Sequence, residues 1–151
     1  MKVKSTTRQK LKGQETTEQK GDKISHHDVY QSLLNRLELT KAHEESLVAR
    51  GLSPQEIKQF GYKSFPTKRK EIVQGLVDEF GHDSLVRSEV PGFYLNTIGG
   101  LELAGRSGIA IPLREANGNI HSIKIRIDRP SNPATKYLLL SSNPAPDRKS
   151  G

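Results

Sequence analysis

The chain has 151 residues, 32% of them hydrophobic and about 40% once its 13 glycines are counted, which fits one domain with tails and a modest core rather than several domains. It has no cysteine, which excludes disulfide staples, a cysteine nucleophile and a cysteine-ligated zinc site. No apolar run approaches the ~18–20 residues that span a bilayer, and no apolar stretch follows the N-terminal charges as in a secretory signal. These absences lead to the expectation of a cytoplasmic protein with no membrane partner, and the net charge of +7 to that of an anionic partner.

In chain order, residues 1–25 are rich in Lys, Gln, Thr and Gly, with only Met1, Val3, Leu11 and Ile24 apolar. That cannot offset an ordering cost of roughly 1–2 kcal/mol per residue, so a disordered basic tail is expected. Its charge reads either as an arm that adds affinity on nucleic acid or as a solvated linker. A helix is expected over His27–Leu37, with Val29, Leu33 and Leu37 on one face. A second should run from Lys41 to Arg50, capped by Thr40 and closed at Gly51. The third starts at Ser53-Pro54-Gln55-Glu56, a capping box with proline at the first helical position, and stops at Gly61. Tyr62–Pro66 reads as a link. A fourth helix is expected from Thr67 to Phe80, with Ile72, Val73, Leu76 and Phe80 as its stripe. Gly75 inside it weakens the helix or marks a close contact. Lys68, Arg69 and Lys70 crowd its first turn, the unfavourable end for cations, and read as a phosphate contact or a solvated run. His82–Leu103 shows little regularity beyond a loop entering a short strand at Val90–Tyr94 and a turn at Gly99-Gly100.

The period then changes to two. Ile109, Ile111 and Leu113 alternate with Ala110, Pro112 and Arg114, and Ile123, Ile125 and Ile127 alternate with Ser122, Lys124 and Arg126. Two such runs about Asn117-Gly118 make a β-hairpin. Pairing Leu113 with Ile123, Ile111 with Ile125 and Ile109 with Ile127 requires an odd loop of three or five residues. Pro112 cannot donate to a ladder, which places its strand at an edge or turns its free side outward there. In this arrangement all the isoleucines face inward. Lys124, Arg126 and Arg114 share the opposite face, Arg106 and Arg129 flank the hairpin, and Lys136 opens a further strand through Leu140. One oily face and one arginine–lysine face would cradle a phosphate backbone, or would be an ordinary solvated sheet surface. Residues 106–151 hold eight Lys or Arg against three Asp or Glu, and residues 27–105 nine against eleven, so the basic excess sits at the two ends of the chain.

Three segments, in order, resemble the RNA-polymerase domain of bacterial DnaG-type primases: Arg50–Ile57 with Phe60-Gly61-Tyr62, then Arg106–Asp128, then Thr135-Lys136-Tyr137-Leu138 with Ser141. The resemblance covers roughly residues 38–142 and is closest in wording to primase-like regions of replication proteins from phages, plasmids and other mobile elements. It implies a mixed α/β subdomain that presents basic residues to single-stranded template, and it matches Arg106, Arg114, Arg126 and Lys136 to family basic residues. Gly108 departs from the family, standing where a second basic residue is usual. So does Lys124, in place of a glycine.

No Asp-x-Asp and no Walker Gly-x-x-x-x-Gly-Lys-Ser/Thr occurs in the chain. The fold expected is α+β: short helices followed by a small antiparallel sheet built on the hairpin. Residues 1–25 form the tail, 26–143 a primase-like template-binding domain, and 144–151 a flexible end or the start of a missing module. The function expected is a single-stranded DNA-binding module of a primase-like replication protein, with Arg106, Arg114, Lys124, Arg126 and Lys136 as nucleic-acid contacts. No catalytic residue, cofactor or metal ligand is expected in this chain. The chemistry would belong to a Toprim-like or helicase module on another domain or chain. The alternative is a protein-interaction or inhibitory module that docks a replication helicase or polymerase. His26-His27 do not suggest a metal site, since neighbouring side chains diverge and no third ligand is evident. His82-Asp83 reads as a turn.

Overall fold

The structure, a computed structural model, describes residues 23–140. The expected tail up to Asp22, Ser141 of the third matching segment and the expected end segment 144–151 lie outside the described residues. Helix α1 spans His26–Asn35, where Ser25 caps by accepting from the Asp28 N–H, and it buries Val29, Tyr30, Leu33 and Leu34. Helix α2 spans Lys41–Ala49 under a Thr40 cap. Helix α3 spans Pro54–Phe60, with both hydrogen bonds of the Ser53–Glu56 capping box formed and Gly61 left-handed at φ 79°.

Tyr62–Pro66 is more than a link, because Lys63–Phe65 forms strand β1. Helix α4 spans Lys70–Phe80, three residues shorter at its start than the pattern predicts. The Arg69 guanidinium folds back onto the carbonyls of Pro66 and Thr67 and closes that segment as a turn. Gly75 does mark a close contact: Arg36, which follows α1, lies against it on its way to Glu79, which it meets at 2.9 Å. Ser32 donates to the same carboxylate, and these two partners hold Glu79 below the usual carboxylate range, the serine contributing most. A fifth helix, α5 (His82–Ser88), occupies part of the stretch that the sequence leaves irregular.

Strands β2 (Phe93–Leu95) and β3 (Leu101–Leu103) pair as a separate hairpin. The Asn96 side chain closes its turn by accepting from the Ile98 and Gly100 N–H groups. Strands β4 (Gly108–Arg114), β5 (Ile120–Ile127) and β6 (Tyr137–Leu139) complete an antiparallel sheet in the order β1-β4-β5-β6.

The β4–β5 hairpin corrects the expected register. Its loop has the expected odd length: the Glu115 N–H donates to the Asn119 carbonyl, and Ala116-Asn117-Gly118 turn the chain with Gly118 at φ 90°. The ladder then slips by one residue between Leu113 and Arg114. Arg114 pairs with Ile120, but Leu113 pairs with Ser122, Ile111 with Lys124 and Ile109 with Arg126. His121 is the extra residue of a β-bulge. The expected pairs of Leu113, Ile111 and Ile109 with isoleucines do not form. Gly108, Ala110 and Pro112 oppose the isoleucines instead. Gly108 is required there, because a Cβ would fall on the Arg126 carbonyl. Strand β1 pairs only with Gly108–Ala110, so Pro112 lies where β4 is unpaired on that side.

Both sheet faces carry apolar residues as a result. The main core joins Ala110, Ile120, Ile123, Ile125 and Phe65 to α1, α4 and α5 through Tyr30, Leu33, Leu76 and Leu85. A smaller core on the other face packs Leu47 of α2 and Ile57 of α3 onto Ile109. Tyr30 is fully buried and donates its hydroxyl to the Pro91 carbonyl at 2.6 Å. Burial raises its ionisation well above the usual phenol range. Tyr30→Phe is expected to lower stability by about 1–2 kcal/mol in urea unfolding at neutral pH. The unfolded chain ionises Tyr30 near pH ~10 while the folded protein resists. Stability from this residue is thus complete below that pH and falls as pH rises above it, a fall that Tyr30→Phe removes.

Candidate nucleic-acid interface

Helices α2 and α3 cover only half of their sheet face. Among the described residues, the hydrophobic cluster they form joins Leu47 and Ile57 to Ile109, Ile111, Leu39, Leu52 and Tyr62, none of them on β5 or β6. The rest of that face presents Lys124 and Arg126 of β5 beside Tyr137 and Leu139 of β6, since Arg126 pairs with Tyr137 and Lys124 with Leu139. Tyr137 is 48% exposed and Leu139 54%. The Lys124 ammonium lies 4.9 Å from the Tyr137 ring centroid, a cation–π contact. Lys124 and Arg126 are half-buried, and neither pairs with a carboxylate among the described residues. The Arg126 Nε is buried with no hydrogen-bond partner. A buried, unsatisfied donor on a charged group is uncommon, and it invites an acceptor from outside.

The five candidate residues do not form one cluster. Lys124 and Arg126 are neighbours on the open half-face, although that face is not the purely polar one expected, since the bulge places Ile109 and Ile111 on it. Lys136 is exposed at the entry to β6, where its carbonyl accepts from the Ile127 N–H at 2.8 Å. Arg106 is exposed before β4, and its Nη2 donates to the Arg129 carbonyl at 3.3 Å. Arg114 is set apart. Its register with Ile120 puts it on the opposite face from Lys124 and Arg126, contrary to expectation. It sits at the hairpin tip, with Nη1 donating to the Gly118 carbonyl at 2.9 Å.

The basic run at the start of α4 is divided too. Arg69 donates to the carbonyls of Leu103 and Gly105 as well as to those of Pro66 and Thr67, and lies over the Phe65 ring. Lys68 and Lys70 are exposed.

Near the start of β4, Arg106, Ser107, Ile127, Asp128 and Arg129 line an open pocket. His43 of α2 reaches its rim. One ring nitrogen meets the Ser64 hydroxyl at 2.6 Å and the other meets Asp128 at 2.7 Å. The sequence reading overlooked His43, Asp128 and Tyr137. The exposed alternation of Tyr137 and Leu139 could have flagged the last; nothing local to the sequence flags a contact 85 residues apart. His26 and His27 serve different partners, the Ser88 carbonyl and the Ile120 N–H. Among the described residues no group of three or more His, Asp or Glu is placed to hold a metal ion, and no helix is long and apolar enough to cross a membrane.

No sequence-family model matches the chain, and no curated protein matches it in sequence. Solved structures do match in fold. The Aquifex aeolicus primase, comprising zinc-binding and RNA polymerase domains, aligns with TM-score 0.62 and 16% identity over 80% of this chain and 31% of its own. The RNA polymerase domain of Mycobacterium tuberculosis DnaG primase, in complex with a double-stranded DNA oligomer with an overhang, gives TM-score 0.62 and 13% identity over 78% of this chain and 38% of its own. A DnaG primase catalytic domain bound to single-stranded DNA gives 0.57 and 19% over 78% and 39%. The fold is therefore one found within the RNA polymerase core of DnaG-type primases. This chain spans between 31% and 39% of the lengths of those three chains.

Proposed function

We propose that the chain is a nucleic-acid-binding module of a primase-like DNA replication protein, of the kind found in mobile elements. In this reading it holds single-stranded template on the open half of the sheet. The observation that carries it is the juxtaposition of Lys124 and Arg126 with exposed Tyr137 and Leu139, with no carboxylate paired to either cation among the described residues. Cations that track phosphates beside an aromatic ring on which bases stack are the usual means of binding single strands. Lys136 and Arg106 extend the positive surface along the same end of the sheet. Two of the similar structures hold DNA, one single-stranded and one a duplex with an overhang, which supports the same reading. Metal-dependent nucleotide transfer would come from a Toprim-like module, and strand opening from a helicase, on another domain or chain.

A second reading, a module that docks a helicase or polymerase, is favoured by the β2–β3 hairpin, where Ile98 is 90% exposed and Leu95 47%. Fluorescence anisotropy with a labelled oligonucleotide separates the two. With three to five phosphate contacts, log K should fall against log salt with a slope of roughly −2 to −3.5. Absence of binding at low salt would leave the docking reading.

A further inference from the structure

The pocket at the end of the sheet has an electrostatic arrangement that strand binding on the open half-face does not require. Two guanidiniums, from Arg106 and Arg129, line it together with one carboxylate, Asp128. A carboxylate in such company ordinarily pairs with an arginine, bidentately where geometry allows. Here neither arginine forms an ion pair among the described residues. Asp128 is turned to His43 instead, at 2.7 Å, while its other oxygen faces the Ser107 hydroxyl at 3.4 Å. The His43 ring is itself fixed from behind by Ser64, whose hydroxyl also accepts from the Thr40 N–H at 2.8 Å. Arg106 gives one N–H to the Arg129 carbonyl, and the Arg129 side chain is exposed. The pocket thus keeps the Arg129 guanidinium and the remaining N–H groups of Arg106 in one concavity.

We propose that this pocket binds a terminal phosphate group, on the 5′ end of a strand or on a nucleoside triphosphate, and that His43 is a positioning residue that holds Asp128 away from Arg106 and Arg129. A terminal phosphate carries about −1.5 to −2 charges and three acceptor oxygens, which the forked donors of two guanidiniums can share. A backbone diester carries one charge and two free oxygens, and suits a groove better than a pocket. The inference rests on the template-binding reading only for the strand as one carrier of the phosphate.

The test compares two oligonucleotides of one sequence, labelled at the 3′ end, one with a 5′-phosphate and one with a 5′-hydroxyl. The wild-type protein should bind the phosphorylated strand about five- to tenfold more tightly. Arg129→Ala should abolish that difference and leave the 5′-hydroxyl strand within about twofold of wild type. His43→Phe should reduce the preference by releasing Asp128 onto the arginines. The double variant His43→Phe with Asp128→Asn should restore it, a rescue that general damage to the fold would not give. Titrating ATP and inorganic phosphate into the assay identifies the source. If ATP removes the 5′-phosphate preference without displacing the 5′-hydroxyl strand, nucleotides share the pocket; if it does not, the pocket serves strand ends. Equal binding of the two strands by wild type, with no Arg129-dependent binding of ATP or phosphate, overturns the proposal while leaving strand binding intact. If neither strand binds but ATP binds through Arg129, the template reading fails and the pocket stands.

Discussion

Arg69→Ala is expected to lower stability by about 3 kcal/mol, with a fall in Tm of roughly 10 °C for a domain of this size. The guanidinium donates to four carbonyls, those of Pro66, Thr67, Leu103 and Gly105, at 2.7 to 3.2 Å, and its face lies 5.0 Å from the centroid of Phe65. It therefore ties the start of α4 to β1 and to the end of the β2–β3 hairpin. Removing it leaves part-buried carbonyls without a donor and opens the space above Phe65. Arg69→Lys should recover little, because an ammonium on a flexible stem cannot fork onto four acceptors or stack on a ring. Urea unfolding of both variants measures the effect. Wild-type stability coupled to lost DNA binding would return Arg69 to a phosphate-contacting role.

The second large effect is expected on binding. Arg126→Ala should weaken single-strand binding by about 1–3 kcal/mol, the loss of one charge-assisted contact, and should make the salt slope shallower by roughly 0.7. Its effect on stability should stay within about 1 kcal/mol. The stem lies between Ile109 and Tyr137 in the ladder, so some packing is lost, but a buried Nε that bonds nothing is removed with it. Arg126→Lys should fall between wild type and Ala, since it keeps the charge and loses the fork. Anisotropy at several salt concentrations, beside urea unfolding, separates the two effects. Unfolding of Arg126→Ala would show a structural residue. Unchanged binding beside a strong loss in Lys68→Ala would move the interface to the start of α4.

The helices with chemical punctuation were legible. Ser53-Pro54-Gln55-Glu56 and Gly61 bracket α3 because the signals at both ends are local hydrogen-bonding and φ requirements, satisfied within four residues. Thr40 acts in the same way for α2, whereas the Ser25 cap of α1 was not read. What escaped the sequence depends on distant partners. Lys63-Ser64-Phe65 is too short to show a period, and only β4 makes it a strand. Helix α5 begins directly after Gly81, at φ 93°, without a side-chain cap, and its apolar residues are too few to show a stripe. The Lys68-Arg69-Lys70 run looks uniform, yet its middle member is held inward by carbonyls over thirty residues away. For the interface, alternation correctly separated Lys124 and Arg126 from the isoleucines of their own strand. It misjudged what lies across from them, and so misplaced Arg114.

The bulge at His121 also limits how this hairpin can diverge. With one extra residue between the loop and the ladder, the two strands are out of phase: odd positions of β4 face even positions of β5. A deletion of a single codon there would put the strands back in phase and send Ile123, Ile125 and Ile127 toward α2 and α3, with Lys124 and Arg126 turned into the main core. No single compensating substitution repairs that, because every position of β5 would need the opposite polarity at once. Length changes in this hairpin are therefore confined to pairs of residues or to its exposed turn. The parity of that one insertion, rather than spacing in sequence, decides that Arg126 and Arg114 lie on opposite surfaces of the hairpin.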